Sequence, residues 1–355
     1  MRVASASIQA KHVFRWDLDK TYLKTEFDTV RDLLKSALEK AREKRAVPGA
    51  PAILKALRAA GGASHRICIV SGSPRQMRRV LEAKLALDGV EFDEFILKPN
   101  LTNLLRGRFR AMRQQIPYKL PALLASRLNS PQARETLFGD DAESDALIYS
   151  LYADIVAGRV GRREAESVLR AAEAYDDQRA ETLDLLDLVP KQDAVVRILI
   201  HLDRRTPTAR FDRFGPRLVP IFNYFQAALV LYGDGQLSAS DVVGVAREML
   251  ASGDYEVSSL ANSLQDLMRR GRIARDTAAR LALEAQSAVD VHASSWPDLP
   301  PKDEIAWAFA TRVRSLGDHA VAPPPVEPGG LDYAALTWED NARRKTCVRR
   351  GEPML

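Results

Sequence analysis

The sequence predicts an α/β protein, with a doubly wound parallel sheet in residues 1–162 and a second, all-α domain in residues 163–319. Apolar runs of strand length alternate with helical patterns between residues 12 and 156, and this alternation is typical of βαβ units, whose strands are parallel. After Gly161 the apolar spacing becomes helical. The remaining residues, 320–355, include prolines and glycines, and we expect them to form a loosely ordered tail.

Four strands are predicted in the first domain, because their residues form short apolar runs bounded by turn residues. They are residues 12–17, 66–70, 92–97 and 135–139. The predicted helices have apolar residues at helical spacing, and they are residues 26–44, 50–60, 74–87, 119–128 and 143–152. Only two of these helices lie between Asp19 and Gly72, which leaves no room for a large cap domain, and we expect a lightly covered site on this side.

In the second domain, each segment with apolar periodicity is predicted as a helix. These segments are residues 163–188, 194–204, 218–232, 240–252, 258–270 and 275–291. They show no repeat of fixed period. The pattern does not indicate a particular family, and the helices could cover a site, mediate assembly or bind a partner.

The composition is that of an ordinary globular protein, and 355 residues are enough for two domains that each bury a core. The formal net charge of +5 suits anionic substrates or surfaces. The two cysteines, Cys68 and Cys347, do not make a disulfide framework, which favours a reducing compartment. The N-terminus has no signal-peptide pattern and no apolar run has the length of a membrane span, so we expect a cytoplasmic protein.

Two aspartates follow the first predicted strand. Asp17 and Asp19 are two residues apart, and in an extended strand such side chains project to the same side. Thr21 places a hydroxyl two residues later. Like charges held this close are costly unless a cation or a proton neutralises them, and Mg²⁺ prefers oxygen ligands of this kind. The pattern therefore predicts a magnesium site, and its alternative is a pair of surface aspartates at a strand end.

Three later motifs follow in an order that would bring them to the same place. Residues 71–74, Ser-Gly-Ser-Pro, end the second predicted strand, and Lys119 opens a helix. Residues 139–145, Gly-Asp-Asp-Ala-Glu-Ser-Asp, end the fourth strand and begin another helix. In open parallel sheets, ligands bind beyond the carboxyl ends of the strands. Asp17, Ser71 and Asp140 all lie at predicted carboxyl ends.

The order of these motifs resembles that of the haloacid dehalogenase (HAD) superfamily of phosphotransferases, over residues 11–162. Within that superfamily, residues 71–74, 118–120 and 139–149 look most like the bacterial relatives of the actin-patch phosphatidate phosphatase catalytic domain. The resemblance implies a Rossmann-like, HAD-like sheet and the Mg²⁺-dependent hydrolysis of a phosphomonoester through an aspartyl phosphate. The most specific substrate that it implies is phosphatidate or another lipid phosphate.

The resemblance also implies the catalytic roles. Asp17 would be the nucleophile and a metal ligand, and Asp19 would be the general acid and base, with its backbone carbonyl on the metal. Ser71 would donate a hydrogen bond to a phosphoryl oxygen. Lys119 would neutralise charge that develops on the phosphoryl group. Lys98 is the alternative to Lys119, which is preferred because it opens the helix before the last catalytic strand.

The remaining site residues would bind substrate or metal. Thr21 would orient the second aspartate or support its loop, although an ordinary turn hydroxyl would have the same sequence. The backbone N–H groups at Gly72 would help to bind the phosphoryl group. Asp140 would be a further metal ligand, with Asp141 or Asp145 in direct or water-mediated support. The alternative is that acidic residues simply favour a helix N-terminus, which would explain Asp141 and Glu143 without a metal.

Two further partners follow from charge. Residues 98–119 contain six basic residues and no acidic one, and this segment could contact an anionic membrane surface or form a solvated basic loop. Nucleic acid is a less favoured partner, because only this segment suggests it. The alternative to an enzyme is a non-catalytic scaffold or binding protein that uses the same fold and the helical domain to hold a partner.

Overall fold

A computed structural model of the chain describes residues 10–23, 45–99, 114–287, 302–316 and 330–350. Its six strands are β1 His12–Trp16, β2 His65–Pro74, β3 Glu94–Lys98, β4 Arg134–Asp140, β5 Val195–His201 and β6 Leu218–Ile221. They form one sheet in the order β3-β2-β1-β4-β5-β6, and all neighbours are parallel. The carboxyl ends of β1 and β4 lie side by side, because Trp16 pairs with Phe138.

Twelve α-helices lie in the described residues. They are α1 Ala50–Gly61, α2 Arg78–Leu87, α3 Ile116–Leu128, α4 Asp145–Val156, α5 Arg162–Ala171, α6 Asp176–Leu188, α7 Tyr224–Gly233, α8 Ala239–Ala251, α9 Val257–Arg269, α10 Arg275–Ser287, α11 Lys302–Ser315 and α12 Tyr333–Arg350. Short 3₁₀ turns cover residues 62–64, 75–77 and 208–214. The predicted α/β class with a parallel, Rossmann-like sheet and an additional helical region is confirmed.

The sheet is buried on both faces, as expected for parallel strands. Phe14 and Trp16 point into a core that they share with α1, α2 and α7 to α11. Val13 points into the opposite core, which contains side chains of α3 to α6 and Tyr333 of α12. The helices α7 to α11, which we call the helical region, therefore pack on the face of the sheet that also holds α1.

Two predicted helices are wrong at the strands that complete the sheet. Residues 194–204 were expected to be helical, but Val195–His201 form β5. The segment 218–232 begins with β6 and only then continues as α7. A strand that is buried on both faces reads as a continuous apolar run, and periodicity alone does not distinguish it from a buried helix.

The sheet thus extends beyond residue 162, into the part of the chain that was predicted to be all-α. The segment 163–188 is also two helices, α5 and α6, because the chain turns at Glu173, whose φ is 55°. Between residues 224 and 316, the described residues form only helices as regular structure. The division of the chain into domains stays a prediction.

Part of the predicted loosely ordered tail is a helix. Residues 333–350 form α12, which contains no proline or glycine, and its residues Tyr333 and Thr337 are buried. Two other expectations, the helix at residues 26–44 and most of the basic segment 98–119, lie outside the described residues. Among the residues that are described, no helix is long and apolar enough to cross a membrane.

Candidate active site

The loop after β1 folds back over its own first aspartate. The N–H of Asp17 still donates to the Phe138 carbonyl of β4, at 2.9 Å. The chain then reverses, because the N–H groups of Tyr22 and Leu23 both donate to the carbonyl of Leu18, at 3.0 and 2.9 Å. Lys20 takes the left-handed conformation that this tight reversal requires, with φ 60°.

This reversal places the Thr21 hydroxyl between two aspartates. Its Oγ1 lies 3.2 Å from Asp17 Oδ2 and 3.2 Å from Asp140 Oδ2, and all three residues are buried. The other oxygen of Asp140 accepts hydrogen bonds from the backbone N–H groups of Ala142 and Glu143, at 2.6 and 2.9 Å. Asp17 and Thr21 therefore meet Asp140, which lies 119 positions beyond Thr21, at the carboxyl ends of β1 and β4.

Lys119 brings a buried positive charge to the same place. Its Nζ lies 2.8 Å from Asp17 Oδ1, 2.5 Å from Asp145 Oδ1 and 2.9 Å from Glu143 Oε2. Burial opposes its charge, but these three carboxylates outweigh burial and raise the pKa of the Lys119 ammonium well above its ordinary value. Lys98, the alternative, donates instead to the Gln114 carbonyl at 2.8 Å. The structure thus places Lys119 on the first aspartate.

Asp19 is held by two serine hydroxyls of β2. Its Oδ2 accepts hydrogen bonds from Ser71 Oγ at 3.0 Å and from Ser73 Oγ at 2.9 Å. Burial, followed by the charge of Glu143, raises the pKa of Asp19 to about 6. The N-cap of the 3₁₀ turn that follows is Pro74 and no side chain caps that turn, so the Ser73 hydroxyl serves Asp19 and not a helix end.

Gly72 lies in β2 between these serines. A Cβ at Gly72 would lie 3.2 Å from the Gln115 side chain, so the backbone is closely approached there.

Asp141 and Asp145, the two alternatives for metal support, have different surroundings. Both oxygens of Asp141 accept backbone N–H groups of the loop after β5, from Arg204 at 2.8 Å and Thr206 at 3.0 Å. Asp145 instead contacts the lysine described above, and its Oδ2 accepts the N–H of Asp140 at 3.2 Å. The structure brings Asp145 into the site, and it does not bring Asp141 there.

Several residues of the site were not predicted. Glu143 was interpreted only as a helix N-terminal acid, yet it contacts the buried lysine. The Tyr118 hydroxyl donates to the Ser71 carbonyl at 2.8 Å. Two contacts come from beyond residue 162: the Tyr224 hydroxyl donates to the Thr21 carbonyl at 2.5 Å, and His201 Nδ1 lies 3.3 Å from the Lys20 carbonyl oxygen. No local sequence signal marks contacts of this kind, because they depend on the tertiary fold.

The electrostatics of the site favour a bound cation. Five carboxylates gather around one ammonium group; they belong to Asp17, Asp19, Asp140, Glu143 and Asp145. Burial, with the repulsion between these groups, raises the pKa of Asp17 and of Asp140 well above the ordinary value, although Lys119 opposes the rise. A divalent cation would remove the excess negative charge.

The donor atoms fit such an ion. One oxygen each of Asp17, Glu143 and Asp145 lie within 4.8 Å of one another, but the Lys119 ammonium already contacts all three carboxylates. Asp19 Oδ1 is buried and has no hydrogen-bond partner among the described residues. Oxygen donors of this kind suit Mg²⁺, so the residues present fit the predicted ion.

A cavity of about 300 Å³ adjoins the site on the side of β4. Asp140 and Glu143 form one part of its lining. The 3₁₀ turn at residues 208–214, α12 and the start of α4 form most of the rest, and α12 contributes apolar side chains such as Leu336 together with charged ones such as Arg343. The C-terminal helix therefore borders the candidate active site.

Comparison with known proteins supports a phosphatase-like region. Residues 16–162, which are 147 of the 355 residues, match a protein-family model described as the catalytic domain of phosphatidate phosphatase APP1. The comparisons with curated proteins and with solved structures found no significant match. The matched region includes Asp17, Lys119 and Asp140, and it excludes β5, β6 and the helical region. The match supports the narrower resemblance predicted from the motifs, and the wider superfamily assignment stays a prediction.

Proposed function

We propose that this protein is a metal-dependent phosphomonoester hydrolase that works through a phosphorylated Asp17. The observation that carries the proposal is the contact of Asp17 with Lys119, at 2.8 Å, beside the Thr21 hydroxyl that also reaches Asp140. These groups lie at the carboxyl edge of a parallel sheet, in a region similar to a phosphatidate phosphatase catalytic domain. A carboxylate nucleophile suits this reaction because the acyl phosphate that it forms is readily hydrolysed.

In the first step, a carboxylate oxygen of Asp17 attacks phosphorus and the bond from phosphorus to the alcohol oxygen breaks. Asp19 donates its proton to that departing oxygen, so the alcohol leaves neutral. The pKa of Asp19, raised to about 6 by burial and then by Glu143, keeps part of the population protonated near neutral pH. The Ser73 hydroxyl holds Asp19 in place for this transfer, while the Ser71 hydroxyl, which donates to the same Asp19 oxygen in the structure, would turn to a bound phosphoryl group instead.

In the second step, water attacks the phosphorus of the aspartyl phosphate. Asp19, now a carboxylate, takes a proton from this water, the acyl phosphate bond breaks, and Asp17 and inorganic phosphate are released. The same side chain thus returns to its protonated starting state.

The charge on the transferred group requires positive neighbours. Lys119 supplies one, and the hydroxyl of Ser71 and the backbone N–H of Gly72 supply hydrogen bonds to the phosphoryl oxygens. We assign Mg²⁺ to Asp17, to the backbone carbonyl of Asp19 and to Asp140, with Asp145 in support, because Asp141 is engaged by the loop after β5. When bound, this ion would supply further positive charge beside the phosphoryl oxygens.

For the substrate we propose phosphatidate or another lipid phosphate, supported by the similarity of residues 16–162 to a phosphatidate phosphatase catalytic domain. The basic segment 98–119 would then provide peripheral contact with an anionic membrane surface, since each basic side chain near such a surface contributes about 1 kcal/mol. A cytoplasmic location remains the expectation from the sequence. We do not propose the non-catalytic scaffold, because Asp17, Lys119 and Asp140 converge in one buried site.

Phosphate release tests the proposal. Purified protein with Mg²⁺ is expected to hydrolyse members of a panel of lipid, sugar, nucleotide, protein and aryl phosphates, with lipid phosphates preferred. Asp17→Asn should abolish release, whereas Asp203→Asn, the same change at an exposed position that follows β5, should retain it. Turnover that survives Asp17→Asn would remove Asp17 from the mechanism, and preference for a small soluble ester would reject the lipid substrate alone.

A further inference from the structure

Tyr224 connects the helical region to the loop that follows β1. It is the first residue of α7, 62 positions beyond the last residue of the family match. Its hydroxyl donates to the backbone carbonyl of Thr21 at 2.5 Å, and its ring stacks on Trp16 with centroids 5.6 Å apart. The side chain is buried, so this hydrogen bond is shielded from water.

A single residue, Thr21, connects Tyr224 to the carboxylates of Asp17 and Asp140. Tyr224 holds the carbonyl of Thr21, and the hydroxyl of the same threonine lies 3.2 Å from both Asp17 and Asp140. A shift of the Thr21 backbone would therefore move the hydroxyl away from one or both carboxylates. A second contact from the same part of the chain, His201 Nδ1 to the Lys20 carbonyl at 3.3 Å, restrains the neighbouring residue of the loop.

The first turn of α7 is itself firmly held. Asn223 caps the helix by accepting the N–H of Gln226, and its side-chain amide donates to Ser263 Oγ of α9 at 2.9 Å. The Gln226 amide donates to the Ser263 carbonyl and to Asp266 of the same helix, at 3.0 and 2.8 Å. This polar network, buried at Asn223 and Gln226, fixes the position from which the Tyr224 hydroxyl reaches the loop.

We propose that Tyr224 is a positioning residue through which the helical region sets the spacing of Asp17 and Asp140. The proposal rests on the proposed phosphatase function and extends it to a part of the chain that the family match does not cover. Tyr224 acts through Thr21 and does not touch the reacting groups itself. The helical region is thereby part of the catalytic apparatus.

Kinetics of Tyr224→Phe provide the first test. The change keeps the ring and its stacking on Trp16 but leaves the Thr21 carbonyl without its donor. We expect kcat to fall about tenfold with KM changed less than about twofold, because small displacements of reacting groups cost rate more than binding. The matched control is Tyr232→Phe on the same helix, whose hydroxyl donates to Glu284 at 2.7 Å, and it should leave kcat unchanged.

A double-mutant cycle distinguishes positioning from general stability. If Tyr224 acts through Thr21, then Tyr224→Phe should have little further effect on kcat in a Thr21→Val background, where the bridging hydroxyl is already lost. Effects on kcat that multiply in the double variant would overturn the proposed route. An unchanged kcat in the single variant would overturn the proposal altogether.

Amide hydrogen exchange gives a readout that does not depend on turnover. Tyr224→Phe should increase exchange in the peptide that contains residues 18–23, and Tyr232→Phe should not. Equal exchange in wild type and Tyr224→Phe would refute the contact. If the wild-type protein hydrolyses no phosphate ester, the proposed function fails, and this exchange experiment still decides whether the helical region restrains the loop.

Discussion

Strands β1 and β4 carry two buried groups of charged residues that differ in their balance of charge. We call the first group the central cluster. It consists of Arg15 of β1, Glu135 of β4 and Arg127 of the adjacent helix α3, and all three are buried. Glu135 accepts two hydrogen bonds from Arg15 and one from Arg127, each at 2.9 Å. Although burial opposes ionisation, these arginines lower the pKa of Glu135, so this carboxylate remains charged.

The edge cluster lies at the carboxyl ends of the same strands, and its balance is the opposite. We use this name for Asp17, Asp19, Asp140, Glu143 and Asp145 together with Lys119. Here burial and mutual repulsion raise the pKa values of Asp17 and Asp140. Glu135 and Asp17 are both buried, so burial of a carboxylate by itself says little about function. The arginines of the fold itself balance the charge of Glu135. At the edge cluster the carboxylates outnumber the single lysine, and this excess of negative charge favours a bound cation.

The largest expected effect is on catalysis by the edge cluster. Asp17→Asn should lower phosphate release by about 10³-fold or more, because the proposed nucleophile is lost. The same change removes one buried negative charge, so the free energy of unfolding of the metal-free protein should not decrease at neutral pH. Rate measurements together with urea unfolding check both results. A strong loss of stability would show that Asp17 is a structural residue like Glu135.

Removing a carboxylate from the central cluster should have the reverse consequence. Glu135→Gln leaves Arg15 and Arg127 without their counter-charge, and we expect a loss of about 3–5 kcal/mol in the free energy of unfolding. Activity per folded molecule should stay close to wild type. Glu91→Gln, at a largely exposed glutamate, is the control and should change stability very little. A catalytic defect without a loss of stability would contradict the distinction between the clusters.

His12, the first residue of β1, should make stability depend on pH independently of the edge cluster. Burial, followed by repulsion from His65, lowers the pKa of His12 to about 4. The unfolded chain therefore binds more protons than the folded protein between pH 6.5 and 4, and stability falls as pH decreases through that window. The shift corresponds to about 3 kcal/mol. Urea unfolding of wild type and His12→Gln should diverge by this amount between pH 7 and 4; parallel curves would be inconsistent with it.

A smaller effect is expected at Gly139 in β4. A Cβ at this position would lie 2.5 Å from the Asp145 side chain, so Gly139→Ala must displace the carboxylate that contacts Lys119. We expect a loss of about 1–3 kcal/mol in stability from the steric conflict, together with reduced kcat. The control is Gly330→Ala, outside the helices and strands, where the space for a Cβ is open and stability should hardly change. Equal behaviour of the two variants would show that Asp145 is not tightly placed.

The sequence alone is enough to predict which site residues meet where their position follows from the order of the strands. Asp17 directly follows β1, Asp140 ends β4 and Ser71 lies near the carboxyl end of β2, and the parallel sheet brings these positions to one edge. The choice between Lys119 and Lys98 was open, because both lie near this edge and only the packing of α3 decides which ammonium reaches Asp17.

Other features depend on tertiary contacts that carry no local pattern. The sequence motif alone does not decide between Asp141 and Asp145 as metal support. In the structure, backbone N–H groups of the loop after β5 donate to Asp141. That loop was itself not predicted, because β5 is apolar enough to resemble a buried helix. The Tyr224 hydrogen bond to Thr21 joins residues 203 positions apart, and an aromatic residue in an apolar helix indicates only core packing.

The most direct test is the unfolding free energy at neutral pH, measured in chelator and with saturating Mg²⁺, for wild type and Asp140→Asn. Mg²⁺ is expected to stabilise wild type, by about 2.7 kcal/mol at one hundred times Kd. Asp140→Asn should be at least as stable as wild type in chelator and should not respond to Mg²⁺. A wild-type protein indifferent to Mg²⁺, or an Asp140→Asn variant that is less stable in chelator, would contradict the account.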